Sequence, residues 1–143
     1  MIAAARTAIY VQLKGVTDLS ASNVHFQEAP QAIADPYCVF METGSPSEHD
    51  TGDYFDTIFF QAAVYSKTLA TIETIIANIK AAFDTAALSI SGYDFDGISR
   101  VATLTRPQDE EGWYMMLVEY QIFLASTPDA VPVLFENLTL IKM

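Results

Sequence analysis

Residues 54–86 read Y-F-D-T-I-F-F-Q-A-A-V-Y-S-K-T-L-A-T-I-E-T-I-I-A-N-I-K-A-A-F-D-T-A. Up to Tyr65-Ser66 the hydrophobic period is two, and beyond it the period is about 3.6. A long strand therefore feeds almost directly into an amphipathic helix. In the strand, Ile58, Phe60, Ala62 and Val64 share one face, and Thr57, Phe59, Gln61 and Ala63 share the other. In the helix, Ile72, Ile75, Ile76, Ile79 and Phe83 fall on a single stripe. Burying those five side chains is worth at most roughly 1.5–3 kcal/mol each. Each element has one face to hide, so a sheet lies under this helix.

Upstream, residues 2–14 predict a helix with Ile2, Ala5, Ile9, Leu13 and Val16 near one stripe and Gly15 as its stop. Residues 23–27 read as a short strand, and 28–36 as a proline-bounded loop. Residues 37–42 read as a strand with Tyr37, Val39 and Met41 on one face, and 43–53 as a polar loop. Downstream, residues 88–95 and 98–105 predict two strands joined by a hairpin at Asp96-Gly97. P-Q-D-E-E-G at 107–112 is an acidic turn. Residues 113–126 form the longest strand, with Tyr114, Met116, Val118, Tyr120, Ile122 and Leu124 on one apolar face. The expected architecture for residues 1–126 is a single α+β domain. It is an antiparallel twisted sheet of about four to six strands, with the long helix and the N-terminal helix packed on it.

The other sheet face breaks the polar alternation of a surface in water, because Phe59, Met115, Leu117 and Phe123 fall on it. Two readings stay open: cover from the N-terminal helix or the C-terminal tail, or a subunit interface. Residues 127–143 are a C-terminal extension. After Pro128 and Pro132 comes V-L-F-E-N-L-T-L-I-K-M, too apolar for a free tail. It is either an extra edge strand on its own sheet or a strand lent to a neighbouring subunit. Val133 and Phe135 thereby join the candidate interface residues.

Composition narrows the function. Of 143 residues, 51% are hydrophobic and 17% charged, which excludes disorder and suggests oligomerisation. The net charge is −11, and Arg6, Lys14, Lys67, Lys80, Arg100, Arg106 and Lys142 form no cluster. Binding to nucleic acid or an anionic membrane is therefore not expected, whereas an acidic surface repels a DNA duplex. The start, M-I-A-A-A-R-T-A-I-Y, does not read as a signal peptide, and no apolar run is long enough to span a membrane. The sole cysteine, Cys38, lies in a hydrophobic strand pattern and reads as a small buried hydrophobe.

Catalytic vocabulary is missing. There is no phosphate-binding glycine loop and no G-x-S-x-G elbow. His25 and His49 lack partners at metal-ligand spacing. Asp94-Phe95-Asp96-Gly97 opens like a calcium loop but lacks the later oxygen ligands. No enzyme activity, cofactor or metal is expected. Glu48, Asp50 and Asp53 fall in one loop, and Asp109, Glu110 and Glu111 in another. They are solvated turn charges, or they make one surface of an assembly strongly negative.

Taken in order, several pieces resemble the tail-completion or tail-terminator proteins of long-tailed bacteriophages. They are V-H-F at 24–26, A-D-P-Y-C-V-F at 34–40, I-F-F-Q-A-A-V-Y-S at 58–66 with the helix after it, and M-L-V-E-Y-Q-I-F at 116–123. The resemblance implies a structural virion protein, assembled in the host cytoplasm and carried at the head-proximal end of the tail. It implies rings, usually of about six subunits, that end tail-tube polymerisation and dock to the head. The implied partners are the tail tube protein, the head-tail connector protein and other copies of the chain, with DNA passing through the lumen. The two acidic loops would then face the lumen or the axial partners. The alternatives are a head-closure connector or minor tail protein and, more remotely, a small ligand-binding domain or enzyme.

Overall fold

A computed structural model describes residues 3–30, 34–44 and 55–126. In chain order it contains α1 (Ala3–Lys14), β1 (Val24–Phe26), β2 (Tyr37–Gly44), β3 (Phe55–Ser66), α2 (Leu69–Phe83), β4 (Tyr93–Arg106) and β5 (Tyr114–Ser126). The strands form one sheet in the order β1-β2-β3-β5-β4. The central pair, β3 and β5, runs antiparallel in unbroken register from Phe55↔Ala125 to Ser66↔Tyr114. The fold is α+β, as the change of period at Ser66 predicts. None of the described helices is long and apolar enough to cross a membrane.

Ser66 is where the chain leaves the sheet. Its Oγ accepts the Thr68 backbone N–H at 3.1 Å, and the Lys67 N–H donates to the Asp35 carboxylate at 3.1 Å. The second bond ties the strand-to-helix junction to the 34–36 loop, whose Asp35-Pro36 bond is cis. α2 then buries Ile72, Ile75, Ile76, Ile79 and Phe83, the stripe read from the sequence. Phe83 packs between Phe60 of β3 and Tyr120 of β5, with ring centroids 5.5–5.6 Å apart. α1 adds Ala5, Ile9 and Leu13 to the same core, and its Tyr10 stacks on Phe40 of β2. Gln12 donates to the Ala82 carbonyl at 2.8 Å, satisfying one of the acceptors that a helix end leaves open. Both helices thus serve one sheet face.

Three expectations are corrected. β1 pairs with β2 in parallel, so the sheet is mixed although its other pairings are antiparallel. No hairpin forms at Asp96-Gly97, because β4 is one strand that runs through both residues against β5. The register shifts between Phe95 and Gly97, so Asp96 is the extra residue of a β-bulge. Pairing along most of β5 outweighs a local two-residue turn signal. Residues 88–92 form no strand; Leu88 and Ile90 instead pack into the helix-side core. The loop joining β4 to β5 is the acidic turn at 107–113. Glu48, Asp50 and Asp53, and Val133 and Phe135 of the extension, lie outside the described residues.

Candidate functional site

The sheet face away from the helices is built from alternate residues of three strands. β2 contributes Tyr37, Val39 and Met41, β3 contributes Phe59, Gln61, Ala63 and Tyr65, and β5 contributes Met115, Leu117, Glu119, Gln121 and Phe123. Among the described residues, no helix or strand lies over it. All four apolar residues expected on this face are there. Met115 is buried, and Phe59, Leu117 and Phe123 are half-buried.

They are not one patch. Phe123 sits opposite Thr57 and Gly97, and a Cβ placed on Gly97 would lie 3.9 Å from the Phe123 ring. That is ordinary van der Waals contact, so the Phe123 ring packs beside β4 at Gly97. Phe59 is diagonal to Phe123, within reach of a large side chain. A polar belt follows, in which Gln61 faces Glu119 and Thr43 Oγ1 donates to the Glu119 carboxylate at 2.7 Å. Beyond the belt, Leu117 lies between Ala63 and Leu104, and Met115 between Tyr65 and Arg106.

That second end carries an aromatic cluster which strand-by-strand reading misses. Tyr37 stacks on Tyr65 at 4.8 Å and 12°, and Trp113 meets Tyr37 edge-on at 5.4 Å. The Lys67 ammonium lies 5.2 Å from the Trp113 ring centre. These rings stand at strand ends far apart in the chain; the pairing Tyr37↔Tyr65 brings two of them together, and Ser66↔Tyr114 brings Trp113 beside them. They line a groove of about 530 Å³, with Glu28, Asp109 and Glu111 among its other walls. Desolvation raises the Tyr37 hydroxyl above its ordinary value, and the charges of Tyr65 and Asp109 add to this.

Of the acidic turn residues, Asp109 has a structural task. Its carboxylate accepts the N–H groups of Glu111 and Trp113, each at 2.9 Å. The bond from Trp113 is the main reason its carboxyl is held below the usual range. Gly112 closes the turn at φ +91°, a conformation strained for residues with a Cβ. Glu110 and Glu111 are exposed.

β4 is the last strand of the sheet, and among the described residues nothing pairs with its outer edge. Val101 and Leu104 on it are 48% and 55% exposed. Elsewhere the described residues offer little chemistry. Cys38 is fully buried, which pushes its thiol up to about 12 and leaves it inert as a nucleophile. Among the described residues, no group of three His, Cys, Asp or Glu side chains is placed to hold a metal ion.

Comparison with known proteins gives a family. The family model described as tail completion protein gp17 matches residues 7–125. Among solved structures, a chain from the virion of a native gene transfer agent particle matches with a TM-score of 0.74 at 18% identity. That alignment covers 88% of this chain and 100% of the other. A second solved chain matches with a TM-score of 0.61 at 17% identity, covering 88% of this chain and 96% of its own. No curated protein sequence matches. At such identities the structural likeness is one of fold.

Proposed function

Because this chain belongs to the phage tail completion protein family, a family of structural proteins of the virion tail, we propose that it caps the head-proximal end of the tail tube. In this reading copies of the chain form a ring around the DNA path, end tube polymerisation and help join tail to head. The family match over residues 7–125 carries the reading. The partners are the tail tube protein on one side of the ring, the head-tail connector protein on the other, and neighbouring copies beside it. The role is mechanical and draws on no cofactor.

Three physical features support it. A net charge of −11 suits a lumen through which DNA slides without sticking. The apolar clusters around Phe59 and Phe123, and around Met115 and Leu117, suit contacts between copies. The exposed Glu110 and Glu111 suit a surface that faces the lumen or an axial partner.

The test is tube growth. Tail tube protein is polymerised with and without the purified chain, and tube lengths and ends are scored by electron microscopy. Shorter tubes carrying the chain at one end are expected. Tubes of unchanged length with bare ends would contradict the proposal.

A further inference from the structure

The two edges of the sheet are unequal. β1 guards one with only three residues, while β4 lines the other with fourteen. The first half of β4 is protected by charge and irregularity: Asp94 and Asp96 are exposed, and a bulge at Asp96 interrupts the ladder, while a second bulge, at Val101, stands at the start of the other half. Among the described residues nothing pairs with the outer edge of the second half. From 99 to 106 every residue is exposed, and between Arg100 and Arg106 the chain reads V-A-T-L-T, without charge. An uncharged, β-prone window on an open edge is a template for another strand.

The sequence holds one segment suited to it. Residues 133–143 are apolar and rich in β-formers, and fully extended they span ~36 Å at ~3.3 Å per residue. The length exceeds what the bare window needs. Position argues against a segment folding back on its own edge. β5 ends at Ser126, opposite Tyr93, which is the end of β4 farther from the bare window. The link at 127–132, T-P-D-A-V-P, carries two prolines, which fix their own φ and hold their predecessors extended. Such prolines narrow the choices open to a link that would have to turn back around the end of β4.

We propose that the outer edge of β4 accepts residues 133–143 of a second copy of this chain by strand addition, with main-chain hydrogen bonds extending the sheet. Donor and acceptor are different surfaces, so the contact is head-to-tail, the kind that closes into a ring. The inference rests on the ring reading above and gives that ring its subunit contact.

Two full-length variants test it. Val101→Lys with Leu104→Lys spoils the acceptor edge at exposed positions, and Leu138→Pro with Leu140→Pro spoils the donor outside the described fold. Circular dichroism checks that both stay folded. Light scattering is expected to show an oligomer for the unaltered chain and a monomer for each variant alone. An equimolar mixture of the variants should form a one-to-one pair, because one still has its donor and the other its edge. Variants that assemble like the unaltered chain, or a mixture that stays monomeric, would overturn the proposal. If rings persist in both variants, strand addition fails and the ring reading stands. An unaltered chain that neither assembles nor caps tubes defeats both.

Discussion

Asp84 shows how single residues are balanced in this fold. It is the C-cap of α2, where the helix dipole disfavours a negative charge. The Tyr120 hydroxyl donates to its carboxylate at 2.7 Å, and the Arg100 guanidinium lies 3.6 Å away. Burial first, then the bond to Asp84, pushes the Tyr120 hydroxyl well above its ordinary value, so it remains a donor across the working pH range. Tyr120→Phe removes that donor while keeping the ring between Phe60 and Phe83. Chemical denaturation should show a loss of about 1 kcal/mol, because the half-exposed Asp84 regains water. Asp109 gives a pH signature. Its carboxyl is held low in the folded chain, so its ionised form supports the 107–113 turn above the ordinary carboxylate range. That support fades below about pH 4 and is gone once the pH passes beneath the depressed folded value. Asp109→Ala should therefore lower the melting temperature at neutral pH, and the gap to the unaltered chain should close on acidification.

At the scale of elements, legibility follows the range of the forces involved. The change of period at Ser66 set both β3 and α2, and the even positions of β5 from Tyr114 to Leu124 proved to be the core face. These readings depend on alternation within one segment. Asp96-Gly97 misled because a turn dipeptide is a local signal, and the long ladder between β4 and β5 overrides it. The parallel pairing of β1 left no local trace, since three residues carry too little pattern. The broken alternation at Phe59, Met115, Leu117 and Phe123 marked the second sheet face. Its aromatic end stayed hidden, because Tyr37, Tyr65 and Trp113 meet only through strand register. Phe123→Glu tests what that face does. With the ring account, gel filtration should show the assembly dispersed and the melting temperature near that of the unaltered chain. An intact assembly with a lowered melting temperature would mean instead that the chain covers Phe123 itself.

For the whole molecule, the features join in one account. Among the described residues both helices lie on one sheet face, and the proposed ring gives the other face and the β4 edge to neighbouring copies. The strongly acidic charge discourages sticking to DNA, and the family supplies the place in the tail. The central claim is that copies of this chain encircle the DNA path. The most direct measurement is the mass of the purified full-length protein across a concentration series, by size exclusion with light scattering, with negative-stain images of any large species. The account predicts rings of about six copies of the 15.7 kDa chain. A strict monomer at every concentration, and no ring on the ends of added tail tubes, would contradict it.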